Sequence, residues 1–492
     1  MGQPLTIDPR HPVIVGAHEL AVRTADAEPI AMMVEASTAA LKDVPTDLRS
    51  SIGSVRVVKG IWPYRNPGRL IADRLGMVDV TTALTGIGGN ATYDLVNQTA
   101  TDIASGSLDA AIICGAESMR TRRKDKSAGR RSSYLEEPDE RSPDLVVSPD
   151  VDLVDDVDIA AGIYEPVNFY AMVESVIRHR RGESHDAHLK RISELWARGS
   201  EIASHNPHAW LSDAVSADMV AMDNASNRRI ASPYTKLLTS NINVDQGAAI
   251  VMCAYARAID AGLGSDQMTF LSAGSGAYDH LTIRERIDLD RSPAFRLAAQ
   301  RALLLAGYSI DEVDHLDLYS CFPASVQLAQ DELGLGDDDD FTITGGLTFA
   351  GGPYNGYCTQ AIAHAAALLR STSDTALLYG NGGFFSKHSV VVLSGTAPPR
   401  PYRCERVQED VDRLPSRQLS NTATVGVIEA YTVVFDRRNE PDHAILSVLD
   451  QRGTRSWALL NTETPMDRVL SENLVGAQVE LEPGTVPIAR LS

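Results

Sequence analysis

This 492-residue chain contains five cysteines, whose side chains could form a covalent intermediate or bind a metal. A thiolate is a strong nucleophile, paired thiols form disulfides, and closely spaced thiols bind zinc. The five are Cys114, Cys253, Cys321, Cys358 and Cys404. They are odd in number and far apart, and no C-x-x-C pair occurs among them. This spacing predicts buried thiols and argues against disulfides and against a bound metal.

The composition is typical of a globular protein without affinity for nucleic acid. With 43% hydrophobic residues the chain can bury a large core, and its length allows two to four domains. The 65 acidic residues outnumber the 45 lysines and arginines, and the net charge of −20 disfavours nucleic acid and anionic membrane surfaces as partners. No leader-like apolar stretch and no run long enough to span a bilayer is present. We therefore expect a cytoplasmic location.

Two segments of the chain follow the same order of predicted elements. In Pro29–Met77 the spacing of apolar residues predicts a helix, an alternating strand and a second helix, and Pro293–Leu335 repeats this order. Each copy continues into a Gly-rich turn, a helix of small residues and an apolar strand. The matched order predicts an α/β fold of two βαβαβ halves, with a ligand where strand ends and helix N-termini of both halves meet.

Two further regions differ in character from the repeated halves. A long insert from about residue 120 to 230 begins with a basic run and is predicted to form a loop domain. After Gly395 a proline-rich linker leads to short alternating strands, which predict a small β-barrel. The predicted domains are 1–265 for the first half with its insert, 266–397 for the second half and 398–492 for the barrel.

Several motifs between Pro12 and about Gly395 resemble the thiolase superfamily, nearest the sterol-carrier-protein type of thiolase. In chain order they are ASGSLDAAIICGAESM, PYTKLLTSNINVDQGAAIVM, DLYSCFPASVQLAQDELGL, TGGLTFAGGPYNG and LLYGNGGFFSKHSVVVLSG. The resemblance covers most of the chain and rests on the order of the motifs as well as on their wording. It implies a duplicated thiolase fold that binds coenzyme A thioesters.

The side chains that perform thiolase chemistry are replaced at the matching positions. Thiolases use a nucleophilic cysteine, an activating histidine and a second cysteine for proton transfer. The nucleophile position falls on Gly89, the histidine on Gly352, the second cysteine on Gly380, and the asparagine or histidine of the third motif on Tyr319. Glycine supplies no nucleophile, acid or base, so we expect no ordinary thiolase activity. Cys321 is the nearest alternative nucleophile, and core packing is the other interpretation of its role.

Two features implied by the resemblance could still bind a CoA thioester. The backbone N–H groups of Gly89 and Gly382 match the oxyanion hole, and such amides can bind or polarise a thioester carbonyl; the glycines could equally serve tight turns only. Thiolases hold the nucleotide of CoA with the loop domain, so the basic run of the insert is a candidate phosphate site or, alternatively, a solvated loop. Its cations are Arg120, Arg122, Arg123, Lys124, Lys126, Arg130 and Arg131. CoA or acyl-CoA is the expected ligand, without a permanently bound cofactor.

Tyr319 indicates a second possible chemistry. A tyrosine here resembles the thiolase-like aldol lyases of steroid side-chain degradation, which lack the cysteine and use tyrosines on a β-hydroxyacyl thioester. Their second tyrosine would lie at Gly352, where only Tyr354 or Tyr357 is close. Their partner subunit contains an oligonucleotide/oligosaccharide-binding (OB) barrel, which the C-terminal segment resembles without its zinc cysteines. A buried tyrosine with a bonded hydroxyl is the alternative interpretation.

Three functions therefore remain open on the sequence. They are a non-catalytic acyl-CoA-binding protein, a retro-aldol lyase that uses Tyr319, and an acyltransferase of the acetyl-CoA acetyltransferase type, for which no nucleophile is evident. Lys387 or His388, just after the last Gly turn, could face the pocket, although a histidine at a strand start is more often structural. Thiolases dimerise through strands that precede Gly89, and the barrel could cover that edge and leave a monomer.

Overall fold

The computed structural model describes residues 7–24, 26–137, 141–419, 423–461 and 463–491. The first six residues, part of the segment in which no leader was expected, lie outside this range. No helix in the described ranges has both the length and the apolar character needed to cross a bilayer.

The first half alternates strands and helices. Its elements are β1 (Pro12–Ala21), α1 (Pro29–Ala40), α2 (Thr46–Arg49), β2 (Ile52–Val57), α3 (Pro67–Arg74), β3 (Thr81–Thr85), α4 (Asn90–Ser105) and β4 (Ala110–Ser118). Pro29 and Pro67 open α1 and α3, where a proline costs no helical hydrogen bond. The strand β4 is buried along its whole length, which explains its continuous run of apolar and small residues.

The insert is mostly helical. It comprises α5 (Met119–Ser127), β5 (Leu145–Val147), α6 (Asp156–Ala160), α7 (Pro166–Arg181), α8 (His185–His205), α9 (Ala217–Ala221), β6 (Arg229–Ala231) and β7 (Tyr234–Thr235). Most of the basic run forms α5, so it is not the loop that one interpretation expected. The strand β5 pairs in parallel with β3 at the edge of the sheet. The edge that precedes Gly89 is thus covered by the insert, and the idea that the barrel covers it is wrong.

The chain then completes the first half and forms the second. The elements are β8 (Asp245–Ala254), α10 (Tyr255–Asp260), β9 (Thr269–Tyr278), α11 (Pro293–Ala306), β10 (His315–Leu318), α12 (Pro323–Leu333), α13 (Gly346–Phe349), α14 (Tyr357–Leu369), β11 (Thr375–Gly382), β12 (Lys387–Ser394), β13 (Arg403–Arg406) and α15 (Gln408–Val411). Single 3-10 turns lie at Lys236–Leu238, Ser265–Gln267, Ile283–Glu285, Ile310–Glu312 and Tyr354–Gly356.

The strand order confirms the predicted duplication. The first half has the strand order β3-β2-β4-β8-β1, and the second half has the order β10-β11-β12-β9. The strands β2, β4, β8 and β1 thus correspond to β10, β11, β12 and β9, and β3 has no counterpart in this order. Short pairing of β1 with β9 joins the halves into one sheet. The helix α4 of the first half packs on β11 and β12 of the second, and α14 of the second packs on β1 and β8 of the first. Both helices therefore begin near the junction of the halves.

The C-terminal strands close into the predicted small barrel. They are β14 (Val425–Phe435), β15 (Pro441–Leu449), β16 (Arg455–Leu460), β17 (Gln478–Glu482) and β18 (Ile488–Leu491), with α16 (Met466–Ser471) between the third and fourth. The order β14-β15-β16-β18-β17 returns to β14, which is the Greek-key closure of an OB-like barrel. The barrel strands begin at Val425, because β13 instead pairs with β9 of the core.

The barrel is docked on the insert and the core through buried polar contacts. The strand β14 pairs with β6 and packs against α7. The indole of Trp457 donates to Asp158 Oδ1 at 2.6 Å, and Asp158 also accepts from Arg284 at 3.0 Å. The fully buried Arg455 donates to the carbonyl oxygen of Arg284 at 3.2 Å. The barrel is therefore an integral part of the molecule.

Candidate functional site

Gly89 lies immediately before α4, and the ring of Tyr319 fills the space beside it. A Cβ on Gly89 would lie 2.3 Å from Tyr319 Cε2 and 2.5 Å from the carbonyl oxygen of Asn381. Gly380 faces the same place, since a Cβ there would lie 2.9 Å from the Gly89 carbonyl oxygen. The structure thus brings Gly89, Gly380 and Tyr319 together. It leaves no room for a nucleophilic side chain at Gly89.

Gly352 is oriented away from this group. Its N–H donates to the Asn241 carbonyl oxygen at 2.9 Å. A Cβ on Gly352 would lie 3.2 Å from the Leu347 carbonyl oxygen and 3.5 Å from Ser240 Cβ. A side chain at this position would therefore start against the return of the insert and not against Gly89.

The five cysteines are protonated thiols. Burial raises the pKa of Cys321 and Cys404 to about 11 and that of Cys114 and Cys253 to about 12, and it also raises the pKa of Cys358. All five are free. A thiol with such a pKa holds its proton at neutral pH and is a poor nucleophile. This includes Cys321, the nearest alternative to the missing cysteine.

The hydroxyl of Tyr319 is available to a ligand. The residue is partly exposed, and its hydroxyl forms no hydrogen bond with any described residue. Burial of the ring raises the pKa of Tyr319 well above its usual value, with the nearby Cys358 and Cys321 acting in the same direction. The phenol therefore stays protonated and can donate a hydrogen bond or a proton, but it is not a base at neutral pH.

Two tyrosines near Gly352 differ in their hydrogen bonding. The buried Tyr357 donates to Asp317 Oδ2 at 3.1 Å, and its oxygen lies 2.8 Å from Thr344 Oγ1. Tyr354 has a positive φ of 53°, an uncommon conformation for a residue with a side chain. Its hydroxyl has no hydrogen-bond partner within the described part of the chain. Tyr354, and not Tyr357, thus presents a free phenol.

The turn before α4 keeps a backbone donor free. The N–H of Gly88 donates to Asn355 Oδ1 at 2.9 Å, and the Asn355 amide donates to the Lys59 carbonyl oxygen at 2.7 Å, which holds the turn in place. The N–H of Gly89 finds no acceptor among the described residues. Gly382 ends β11 opposite Lys387. An unpaired amide at the start of a helix is suited to a carbonyl oxygen or an anion.

Two asparagines beside these glycines were missed by the sequence reasoning. Asn90 donates to Asp94 Oδ2 at 2.8 Å, and Asn381 donates to the Tyr170 hydroxyl at 2.8 Å. The Oδ1 atoms of Asn90 and Asn381 are buried and have no partner in the described structure. Their positions in the sequence could have indicated them, because Asn90 directly follows Gly89 and Asn381 lies between Gly380 and Gly382.

Lys387 and His388 point to opposite sides of β12, as successive strand residues must. Lys387 faces Gly88 and Gly382, and its amine donates to the Ile87 carbonyl oxygen. His388 is buried in the core, where its ring nitrogens lie 2.7 Å from the Tyr379 hydroxyl and 3.1 Å from Ser292 Oγ. Burial holds the pKa of His388 well below its usual value, and Arg286 acts in the same direction. Lys387 is therefore the one that faces the site.

Most cations of the basic run have partners within the molecule. Arg120 pairs with Asp245 at 2.9 Å, and Lys124 pairs with Asp26 at 2.6 Å. Arg122 donates to a backbone carbonyl oxygen. Arg123 has no ion pair among the described residues. Binding of a CoA phosphate by Arg120, Arg122, Arg123 and Lys124 stays a prediction.

Comparisons with known proteins agree with this architecture. The family model described as the thiolase-like protein type 1 additional C-terminal domain matches residues 406–484. A monomeric SCP2-thiolase-like protein type 1 from Mycobacterium smegmatis is 28% identical and has a TM-score of 0.85, with 99% of this chain and 100% of that chain covered. The chain is therefore similar over its whole length to an SCP2-thiolase-like protein and has the thiolase fold.

Solved structures of lower identity share the fold alone. The Ltp2-ChsH2(DUF35) aldolase is 18% identical with a TM-score of 0.59, covering 78% of this chain and 98% of that chain. The dimeric peroxisomal thiolase of Saccharomyces cerevisiae is 14% identical with a TM-score of 0.58, covering 79% of this chain and 98% of that chain. A comparison with curated proteins found no match.

Four surface cavities lie away from the central glycines and from Tyr319. Four cavities of between about 230 and 670 Å³ open on the described part of the molecule, and none is lined by Gly89, Gly352, Gly380 or Tyr319. No cluster of three or more potential metal ligands occurs in the described ranges. The groups that face the centre and could bind a ligand are the Gly89 N–H, the Tyr319 phenol, the side-chain amides of Asn90 and Asn381, and the Lys387 ammonium.

Proposed function

We propose that this chain binds CoA or acyl-CoA thioesters at the junction of its two halves without thiolase activity. One observation carries the proposal: the Tyr319 ring takes the space of a side chain on Gly89, while the Gly89 N–H has no acceptor in the described structure. The nucleophile is thus excluded, whereas a donor suited to a thioester carbonyl is kept. Binding needs only the second of these features.

Acyl transfer is the function that the site supports least. A covalent acyl-enzyme needs a thiolate or another activated nucleophile within reach of the thioester. Burial holds the pKa of Cys321 at about 11, and glycine occupies the position of the second cysteine at Gly380. The acetyl-CoA acetyltransferase activity that the resemblance implies therefore has no group to carry it.

A retro-aldol lyase is the second candidate, favoured by the free phenols of Tyr319 and Tyr354. In that reaction the Cα–Cβ bond of a β-hydroxyacyl thioester breaks, and Cα must be protonated. A protonated Tyr319 is suited to that donation. The β-hydroxyl also needs a proton acceptor, and Tyr319 with its raised pKa does not supply one. The likeness to the Ltp2-ChsH2(DUF35) aldolase extends to the fold alone.

We also propose that the chain is a monomer. The strand β3, which precedes Gly89, has its free edge covered by β5 of the insert. A covered edge cannot pair with the same strand of a second copy. The similar Mycobacterium smegmatis protein is described as monomeric. Light scattering coupled to size-exclusion chromatography should give the mass of one chain, and the mass of two would contradict the proposal.

Calorimetric titration with acetyl-CoA, a long-chain acyl-CoA and free CoA tests the binding proposal. We expect saturable binding, tighter for an acyl-CoA than for free CoA, and no thiolysis of a 3-oxoacyl-CoA in the presence of CoA. Absence of heat with all three ligands would refute binding, and thiolysis would refute the loss of activity. Arg123→Ala tests the phosphate site, with Lys190→Ala as an exposed control. We expect Arg123→Ala to weaken the binding of CoA and of acyl-CoA by the same factor, and Lys190→Ala to weaken neither.

The lyase is tested by incubating the protein with a β-hydroxyacyl-CoA and analysing the products by mass spectrometry. A shorter acyl-CoA and a carbonyl compound in equal amounts would establish cleavage. Tyr319→Phe should then abolish the products while the substrate still binds. Unchanged substrate with wild-type protein would leave the binding function alone.

A further inference from the structure

Lys387 and Asn90 face the same small volume beside the candidate oxyanion amide. A Cβ on Gly88 would lie 2.4 Å from Asn90 Oδ1 and 3.0 Å from Lys387 Nζ. A Cβ on Gly382 would lie 2.0 Å from Asn90 Oδ1 and 2.9 Å from Lys387 Cε. The two side chains therefore converge between these glycines, next to Gly89. Glycine is required at both positions because a Cβ would displace one or both side chains.

Asn90 contributes an unsatisfied acceptor to this volume. Its Oδ1 atom is buried and has no partner among the described residues. The orientation of the amide is set on its other side, where the NH2 group donates to Asp94 at 2.8 Å. The flipped amide would place its oxygen against that carboxylate, so the oxygen must face Gly88 and Gly382. A buried acceptor without a donor calls for a ligand group or a water.

Lys387 contributes donors that are not used. The residue is buried, and its ammonium has three N–H groups. The hydrogen bond found for this amine in the described structure goes to the Ile87 carbonyl oxygen. The two carboxylates whose charge acts on Lys387 form ion pairs with other residues: Asp94 with Arg406 at 3.2 Å and Asp150 with Lys59 at 2.8 Å. Burial lowers the pKa of Lys387, while Asp94 and Asp150 act in the opposite direction.

An open groove lies on the other side of the Asn90 amide. A cavity of about 410 Å³ is lined by Asp94 and Ser148. Both residues contact the Asn90 amide, at 2.8 Å and 3.3 Å. The groove thus reaches the NH2 side of Asn90, whereas the unsatisfied Oδ1 and the Lys387 ammonium face Gly88 and Gly382.

We propose that Lys387 and Asn90 form a hydroxyl-recognition site, so that the thioester bound by this chain carries a hydroxyl on its acyl group. This rests on the proposed binding function. A hydroxyl accepts a hydrogen bond from the ammonium and donates one to the amide oxygen at the same time. A ketone can only accept and leaves Asn90 unpaired, and a methylene satisfies neither residue. The pair is therefore selective among acyl thioesters that differ at one carbon.

The test compares three ligands of equal chain length by calorimetry: a 3-hydroxyacyl-CoA, a 3-oxoacyl-CoA and the unsubstituted acyl-CoA. We expect the wild-type protein to bind the hydroxyacyl ligand roughly tenfold more tightly than the other two, as one or two added hydrogen bonds predict. Lys387→Met and Asn90→Ala should bring the three affinities together. Lys190→Met, an exposed substitution of the same type, should keep the preference.

The outcomes separate this inference from the proposed function. The preference is a ratio within one protein, so a variant that merely folds less well weakens all three ligands alike. Equal affinities in the wild-type protein, or a preference that survives in both site variants, would overturn the hydroxyl site and leave acyl-CoA binding intact; a water held between Lys387 and Asn90 gives this result. No binding of any ligand would remove the proposed function and the hydroxyl site with it.

Discussion

The ring of Tyr319 stands where a side chain on Gly89 would have to stand, with Tyr319 Cζ only 2.4 Å from the position of that missing Cβ. The two residues are 230 positions apart in sequence and belong to different halves of the fold. A side chain at position 89 and the Tyr319 ring in its present position therefore exclude each other. Restoring a side chain at Gly89 alone cannot restore a thiolase centre.

Gly89→Ala should destabilise the protein by about 1–3 kcal/mol, because the added methyl overlaps the Tyr319 ring and the Asn381 carbonyl oxygen. Urea unfolding measures the cost. Gly356→Ala is the matched control nearby, since its Cβ would meet only Pro353 at ordinary contact distance, 3.7 Å. Adding Tyr319→Ala to Gly89→Ala should cost less than the sum of the single variants. Strict additivity would contradict the overlap.

Tyr319→Phe and Tyr357→Phe should differ in stability although both remove one hydroxyl. The Tyr319 hydroxyl has no partner in the described structure, so its loss should change the free energy of unfolding by no more than about 0.5 kcal/mol. Loss of the Tyr357 hydroxyl removes donation to the buried Asp317 and should cost about 1–3 kcal/mol. Equal costs in denaturant titrations would show that the Tyr319 hydroxyl is bonded after all.

The free energy of unfolding should decrease as the pH rises from 4 to 7, in part because of Asp317. Burial raises the pKa of Asp317 to about 7, so the folded protein keeps a proton that the unfolded chain releases near pH 4. Each pH unit in this window then costs up to about 1.4 kcal/mol. Asp317→Asn should flatten this part of the profile of unfolding free energy against pH, whereas the exposed Asp311→Asn should not. An unchanged slope in Asp317→Asn would show that the folded protein holds this carboxyl ionised.

Trp457→Phe should weaken the attachment of the barrel. Its indole N–H donates at 2.6 Å to Asp158, a buried carboxylate that would then keep only Arg284 and the backbone N–H of Asp155 as donors. We expect a loss of about 1–3 kcal/mol in unfolding free energy. Trp210→Phe, which removes a partly exposed indole, should cost less. If the barrel unfolds in a separate earlier transition in Trp457→Phe, the contact holds the domains together; an unchanged curve would mean that other contacts suffice.

Local patterns in the sequence were enough for the architecture and for part of the site. The period of the apolar residues and the repeated order of elements predicted two equivalent halves, because both signals are written in neighbouring residues. The resemblance of the motifs to thiolases placed Gly89, Gly352, Gly380 and Tyr319 at one centre; the structure brings Gly89, Gly380 and Tyr319 together and orients Gly352 away. The missing nucleophile was equally evident, since a residue type is read directly from the sequence.

The tertiary structure alone decided which side chains face that centre and which are left without a partner. Whether Lys387 or His388 points to the site depends on the register of β12 against β9 and β11, and whether Tyr354 or Tyr357 has a free hydroxyl depends on Asp317, some 40 residues away. The cover of β3 by β5 and the convergence of Asn90 with Lys387 likewise join distant segments. Such contacts are set by packing between elements, and no local pattern of residue types encodes them.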